Sequence, residues 1–157
     1  AGVGAFGDLG THVLDLLLWF FSDVESVSAT FTKVYNQYPG CEESGEALIK
    51  FKSGLIASIA AGWIDIAQPY TIFVSGTKAH ARTTNEKLII NENKDGKKIE
   101  RIEENLPETL PHAFDLFLNS LIDSNTKNLV TPSEAALRSS IMESIYQSEK
   151  EKKWINI

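Results

Sequence analysis

The sequence holds a single cysteine in 157 residues, and this scarcity excludes two classes of structure. Cys41 has no partner for a disulfide within the chain, and no cluster of Cys and His has the spacing of metal ligands. We therefore expect neither a disulfide-stabilised fold nor a metal site. A lone thiol is typical of a reducing compartment, so we expect a cytoplasmic protein.

Excess positive charge and long apolar runs are also absent. The chain has 15 Lys and Arg residues against 21 Asp and Glu residues, and a formal net charge of -6. Its lysines are scattered among acidic residues and form no basic stripe, so we expect no nucleic-acid partner. The longest apolar run, Val13 to Phe21, is interrupted by Asp15, is too short to span a bilayer and follows no positively charged segment. We expect neither a membrane partner nor a signal peptide.

The most informative stretch is Gly4 to Phe21, which is mostly apolar but has a narrow polar sector. At about 100° per residue, five polar or aromatic side chains share one side of a helix. They are Asp8, Thr11, His12, Asp15 and Trp19. A solvent-facing stripe usually carries Lys, Glu, Arg or Gln instead. Asp8 and His12 are four residues apart, so the carboxylate can meet the imidazole and prepare it for proton transfer.

Two plainer interpretations of this pair stay open. Asp8 follows Gly7 and has the residue type of a helix N-cap, and His12 has the character of a half-buried histidine with satisfied hydrogen bonds. The glycines Gly2, Gly4 and Gly7 also spell the G-x-G-x-x-G dinucleotide fingerprint. That fingerprint needs a buried strand before it, and only Ala1 precedes it here, so we do not predict a Rossmann fold from it.

The run GVGAFGDLGTHVLD, from Gly2 to Asp15, resembles the signature that opens the second domain of the Gfo/Idh/MocA oxidoreductases. That signature reads glycines, then D-x-G-x-H-x-x-D, then an apolar helix that ends in a Trp-containing run. Five positions match it: Asp8, Gly10, His12, Asp15 and Trp19. The resemblance extends along the chain, more weakly after this helix.

The resemblance implies the substrate-binding and oligomerisation domain of an NAD(P)-dependent oxidoreductase. Its substrates would be sugars, cyclitols or related secondary alcohols. It implies that His12 carries the proton and that Asp8 orients His12 or holds a substrate hydroxyl. Thr11 and Asp15 would contact the substrate from the same helix, and Trp63 would form a wall of the pocket. From the residues alone, Trp63 is better interpreted as a large core or interface residue.

The resemblance also indicates what this sequence lacks. The family's Glu-Lys-Pro motif does not occur, and neither does its nucleotide-binding loop. We therefore expect residues 1–157 to be a single C-terminal domain with no cofactor-binding residues, separated from the Rossmann domain that would bind NAD or NADP. Such a chain should be inactive alone. Two alternatives are a non-catalytic ligand-binding or regulatory member of the same fold, and an unrelated α+β ligand-binding module.

The order of predicted elements is a helix, then six or seven strands, then two helices and a short strand. This order indicates an α+β fold: an open, mostly antiparallel β-sheet with helices packed on one face, similar to the dihydrodipicolinate-reductase-like C-terminal domain. The predicted strands are Val27 to Tyr35, Ala47 to Phe51, Leu55 to Ile64, Tyr70 to Val74, Ala79 to Thr83, Lys87 to Asn91, Lys98 to Ile102 and Trp154 to Ile157.

The predicted helices at the C-terminal end begin near His112 and at the capping box Thr131-Pro132-Ser133-Glu134. We expect His80 and His112 at the surface. The open sheet face should bury itself against a second copy of the chain, which makes a homo-oligomer. The candidate contact residues are Ala29, Phe31, Tyr35, Ile56, Ser58 and Ala60.

Overall fold

A computed structural model describes residues 3–66, 71–84, 87–123 and 128–157. Ala1 and Gly2, at the start of the glycine-rich motif, and Tyr70, at the start of a predicted strand, lie outside these described residues. The chain divides into two compact units, one of Ala1–Asp65 with Leu129–Ile157 and one of Ile66–Asn128. The elements are a π-helical turn (Phe6–Gly10), α1 (Thr11–Phe20), β1 (Val24–Thr32), β2 (Ser44–Phe51), β3 (Ile56–Gly62), β4 (Phe73–Ser75), β5 (Ala79–Thr84), β6 (Lys87–Lys94), β7 (Lys97–Glu103), α2 (Ala113–Asp123), α3 (Pro132–Glu151) and β8 (Ile155–Asn156). This is the α+β order that the sequence predicts.

The first unit is a four-stranded antiparallel sheet covered on one face by helices. Its strand order is β3–β2–β1–β8. Alternate residues of β2 are buried, because successive side chains of a strand point to opposite faces. The buried side chains come from the π-helical turn, α1, three strands and α3. They are Phe6, Leu14, Val24, Val27, Ala47, Ile49, Phe51, Ile59, Ile141 and Ile145. The expectation of helices packed on one sheet face is therefore confirmed for this unit.

The second unit holds another antiparallel sheet, in the order β4–β5–β6–β7, together with α2. The hairpin between β6 and β7 turns at Asp95 and Gly96, whose φ angles are 53° and 79°. Positive φ at both turn residues suits a two-residue hairpin, and Asp-Gly is a favoured pair there. Among the described residues the strands thus form two sheets, where the sequence suggested one.

The predicted range of the first strand, Val27 to Tyr35, is wrong at both ends, since β1 runs from Val24 to Thr32. Just past its end, the backbone N–H groups of Val34 and Tyr35 donate to the Glu43 carboxylate, at 2.6 Å and 2.7 Å. A backbone whose donors bind a side chain cannot continue the ladder. A distant carboxylate therefore ends this strand.

The predicted contact face is also partly wrong. Phe31 lies on the helix side, with its ring 4.9 Å from the rings of both Phe6 and Tyr146, and Ala29 packs against the same core. Tyr35 lies outside β1. The open face consists of side chains paired across β1, β2 and β3. They are Ser28, Thr30, Glu46, Leu48, Lys50, Ile56, Ser58 and Ala60.

The start of α3 follows the sequence prediction closely. The Thr131 side chain accepts a hydrogen bond from the Glu134 backbone N–H at 3.2 Å, and the Glu134 carboxylate accepts one from the Thr131 N–H at 2.7 Å. Together these bonds form a capping box, with Pro132 in the first turn. They satisfy two backbone donors that an α-helix leaves unpaired at its start.

Candidate functional site

The N-terminal helix begins with a π-helical turn that is capped by a residue far away in the sequence. Glu42 Oε1 accepts hydrogen bonds from the backbone N–H groups of Gly4 (2.9 Å), Phe6 (3.2 Å) and Gly7 (3.4 Å). A carboxylate is well suited to this place, because a helix N-terminus carries partial positive charge. Asp8 is therefore not the cap; it is exposed within the π-helical turn. Turns of this kind occur often at functional sites.

Glu42 is only 7% exposed, and a buried charge needs full hydrogen bonding. A fourth donor comes from α3: the Tyr146 hydroxyl lies 2.5 Å from Glu42 Oε1. Burial, together with this bond and the negative charge of Glu42, raises the pKa of Tyr146 above its ordinary value near 10. Tyr146 therefore remains a proton donor to Glu42 across the physiological pH range.

The same contacts bear on whether the glycine-rich start of the chain has backbone N–H groups free to bind a dinucleotide phosphate. A pyrophosphate would need free backbone N–H groups at the helix N-terminus. Those of Gly4 and Gly7 already bind the Glu42 carboxylate, so an anion of the protein itself occupies that position. The described part of this motif therefore leaves neither of these two N–H groups free for a dinucleotide phosphate, and the absence of cofactor-binding residues stays a prediction.

The structure joins two of the predicted site residues that are 55 positions apart. The indole Nε1 of Trp63 donates to Asp8 Oδ2 at 3.2 Å. Trp63 lies just after β3 and is 39% exposed, so it is not a core residue. The ring of Tyr38 packs edge-on against the Trp63 ring, with centroids 5.7 Å apart and an interplanar angle of 77°. Trp63 and Tyr38 thus form one surface, which we call the aromatic wall, and Asp8 is hydrogen-bonded to its edge.

A second buried carboxylate shapes the loop that carries Tyr38. Glu43 is 2% exposed and accepts hydrogen bonds from the N–H groups of Val34, Tyr35 and Gln37 at 2.6 to 2.8 Å. Burial alone would raise its pKa. The backbone donors, led by Gln37, outweigh burial and lower the pKa of Glu43 to about 2. Its own backbone oxygen accepts the Trp63 N–H at 2.9 Å. Glu43 therefore contacts both the loop and the residue on which Tyr38 packs.

The remaining predicted site residues lie on α1. His12 is exposed and Thr11 is half-buried. Among the residues that the structure describes, no hydrogen bond joins His12 to Asp8, whose carboxylate instead binds Trp63. Asp15 Oδ1 accepts a hydrogen bond from the Arg138 guanidinium at 3.2 Å, which ties α1 to α3. The roles assigned to His12, Asp8, Thr11, Asp15 and Trp63 stay predictions.

Three contributors to this region escaped the sequence analysis: Glu42, Glu43 and Tyr146. No local signal marks the first two, because the backbone groups that they bind lie in other segments of the chain. The surface prediction is correct for His112, which is exposed. It is wrong for His80, which is half-buried with its ring 5.4 Å from that of Phe73 on the neighbouring strand.

Two further searches cover only the described residues. No group of three or more His, Cys, Asp or Glu residues within those ranges has an arrangement that could hold a metal ion. No helix within them is both long enough and apolar enough to cross a bilayer.

Comparison with solved structures shows the same fold in several oxidoreductases. An NAD-binding protein from Listeria innocua superimposes with a TM-score of 0.79 at 19% identity, over 98% of this chain and 47% of that chain. Levoglucosan dehydrogenase in complex with NADH and levoglucosan gives 0.76 at 19% identity, over 100% and 51%. The WlbA dehydrogenase from Bordetella pertussis in complex with NADH and UDP-GlcNAcA gives 0.72 at 21% identity, over 98% and 45%. The chain thus spans about half the length of these proteins.

No curated protein matches the sequence. The family model for the GFO/IDH/MocA C-terminal domain, however, matches residues 1–82, which is more than half of the chain. The matched segment contains the glycine-rich start, α1, both buried carboxylates and the aromatic wall. The chain therefore belongs to the Gfo/Idh/MocA family and has the fold of its C-terminal domain.

Proposed function

We propose that this chain is the substrate-binding and oligomerisation part of a cytoplasmic NAD(P)-dependent oxidoreductase. Its substrate would be a sugar, a cyclitol or a related secondary alcohol. Family membership supports the reaction class, and relatives of the same fold bind NADH together with levoglucosan or UDP-GlcNAcA. The free thiol of Cys41 agrees with a reducing compartment. The observation that carries the substrate-binding part of the proposal is the Trp63–Asp8 hydrogen bond, which fixes a carboxylate one helical turn from the exposed His12.

The side chains of this region suit the handling of a hydroxyl group. Oxidation of a secondary alcohol requires that the hydroxyl proton leave as hydride leaves the carbon. The neutral imidazole of His12 is the group that accepts this proton. Asp8, fixed by Trp63, accepts a hydrogen bond from a neighbouring substrate hydroxyl, and Thr11 reaches the same ligand. The indole of Trp63 offers an apolar surface to the C–H groups of a sugar ring.

The redox chemistry itself belongs to the nicotinamide. Because the N–H groups of Gly4 and Gly7 bind Glu42, the phosphates of NAD or NADP would be held by residues outside this chain. This chain would position the substrate and provide the group that accepts the proton. Asp15 Oδ1 already forms an ion pair with Arg138. Asp15 would therefore bind the substrate through its second carboxylate oxygen.

The test is steady-state reduction of NAD and NADP by the full-length protein over a panel of sugars and cyclitols. Replacing His12 by Ala should lower kcat by about 10²- to 10⁴-fold, the usual contribution of a positioned general base. His112→Ala is the matched control, because His112 is exposed on the second unit. An unimpaired His12→Ala enzyme, or turnover by residues 1–157 alone, would contradict the proposal.

A non-catalytic ligand-binding member of the family is the second candidate. One observation favours it: within the described residues, Asp8 binds Trp63 and not His12, so the carboxylate does not orient the imidazole. Such a protein would bind a sugar without reducing NAD or NADP. Saturable sugar binding by calorimetry, with no turnover by the full-length protein in either direction, would favour this candidate over an enzyme.

We also propose that the open face of the first sheet joins two copies of the chain. Leu48 and Ile56 are 46% and 68% exposed on this face, which the helices leave uncovered. Light scattering at micromolar concentration should show a dimer or a larger assembly. Ile56→Glu should dissociate it, whereas Ile66→Glu, at an exposed position outside this sheet, should not. A wild-type monomer would rule the interface out.

A further inference from the structure

Glu42 and Glu43 are consecutive carboxylates that are both nearly buried, yet they bind different parts of the first unit. Glu42 binds the backbone of the N-terminal helix and Tyr146 of α3. Glu43 binds the backbone of the loop after β1. Both lie immediately before β2, and the backbone bends at Glu43. One short segment therefore binds the backbone of the helix that carries Asp8 and the backbone of the loop that leads to Tyr38.

We propose that Glu42 and Glu43 are positioning residues with separate targets. Glu42 positions the helix that carries Asp8 and His12, and Glu43 positions the aromatic wall against which the substrate rests. This inference rests on the proposed function, and it divides that function between two neighbouring side chains. Neither carboxylate reaches the substrate in this scheme.

The contacts of Glu42 control the placement of the proton acceptor. Gly4, Phe6 and Gly7 all donate to a single carboxylate oxygen, and the Asp8 N–H donates to the Gly4 carbonyl at 3.0 Å. A change at Glu42 is therefore transmitted through the π-helical turn. A shift of about 1 Å in a reacting group can reduce the rate about 10²-fold without weakening ground-state binding. Loss of the Glu42 charge should thus lower kcat more than it changes KM.

The contacts of Glu43 control the substrate-binding surface instead. Its side chain holds the backbone up to Gln37, next to Tyr38, while its carbonyl oxygen accepts the N–H of Trp63. Without the carboxylate, three backbone N–H groups of the loop lose their acceptor, and Tyr38 loses its fixed place against Trp63. This surface contacts the substrate equally in the ground state and the transition state. Its loosening should raise KM and leave kcat nearly unchanged.

The kinetic test compares Glu42→Gln and Glu43→Gln in the full-length enzyme, with Glu143→Gln as the control. Glu143 is an exposed carboxylate on α3, so Glu143→Gln removes the same charge as the other two variants without changing a buried side chain. We expect kcat to fall about tenfold or more in Glu42→Gln, and KM to rise about tenfold in Glu43→Gln with kcat within about twofold. Glu43→Asp, which keeps the charge, should recover part of the affinity. Equal effects of both variants on the same parameter would overturn the division of roles.

Amide hydrogen exchange tests the same inference without any turnover. Glu43→Gln should speed exchange at Val34, Tyr35 and Gln37 only, and Glu42→Gln should speed it at Gly4, Phe6 and Gly7 only. If Glu42→Gln does not fold, Tyr146→Phe replaces it, because this change removes one of the four donors to Glu42. Tyr146→Phe should also speed exchange at Gly4, Phe6 and Gly7, but by a smaller factor. Faster exchange at all six amides in either variant would refute separate targets. A full-length protein with no turnover but the expected exchange pattern would refute the enzymatic function and leave the positioning roles standing.

Discussion

Replacing Gly4 by Ala should destabilise the first unit strongly, because the added methyl group has no space. A Cβ atom at this position would lie 2.0 Å from the Glu42 carbonyl oxygen and 2.5 Å from the Glu42 nitrogen. Both are backbone atoms of a buried residue, so no side-chain rotation relieves the overlap. The N–H of Gly4 also donates to the Glu42 carboxylate, and that bond must lengthen when the two segments separate.

The magnitude follows from these two losses. Forcing an extra methyl group into a packed site costs about 1–3 kcal/mol. Weakening a hydrogen bond to a buried charge costs about 1.5–3 kcal/mol more. The free energy of unfolding should fall by about 2.5–6 kcal/mol, which at about 2–4 °C per kcal/mol lowers the melting temperature by about 5–24 °C.

Tryptophan fluorescence is a suitable measurement, because all three tryptophans, Trp19, Trp63 and Trp154, belong to the first unit. It therefore reports the unfolding of that unit separately from the second one. Gly62→Ala is the graded control: its Cβ would lie 3.1 Å from the rotatable Ser44 hydroxyl, and we expect a loss of about 1 kcal/mol. If Gly4→Ala melts at the same temperature as Gly62→Ala, the close approach of Gly4 to Glu42 is not a constraint on the fold.

Two further predictions concern pH and helix capping. The pKa of Glu43 is lowered from 4.5 to about 2, so its contribution to stability is present above pH 4.5 and is lost as the pH falls through 2. Between these two pH values, the free energy of unfolding should depend less steeply on pH in Glu43→Gln than in the wild-type protein. Equal slopes in the two proteins would contradict this prediction. Thr131→Ala should cost about 1 kcal/mol in urea denaturation by breaking the capping box with Glu134, whereas Ser133→Ala should be nearly neutral.

The features that the sequence predicted well depend on neighbouring residues. The capping box of Thr131 and Glu134 and the Asp95–Gly96 turn each lie within four positions, so their geometry follows from local chemistry. Hydrophobic alternation gave the order of the strands for the same reason. It did not give their partners, since alternation tells which face a side chain occupies and not which strand lies beside it.

The features that the sequence missed all involve distant residues. The end of β1 depends on Glu43, which binds the N–H groups of Val34 and Tyr35 from beyond the following loop. The start of the first helix depends on Glu42, at a separation of 38 positions from Gly4. The helical wheel assumed a regular helix from Asp8, whereas the π-helical turn changes the angular spacing before Thr11. No local pattern encodes these contacts.

The two buried carboxylates connect the stability of the fold to the geometry of the candidate site. A buried charge that loses its partners is costly, so Glu42 and Glu43 hold their backbone donors firmly wherever those donors lie in the sequence. Those donors belong to the segments that carry Asp8 and Tyr38, and the Trp63 hydrogen bond to Asp8 links the two segments. A change that separates the segments must therefore break buried hydrogen bonds as well as surface contacts. The two buried carboxylates therefore stabilise the geometry of an exposed candidate site.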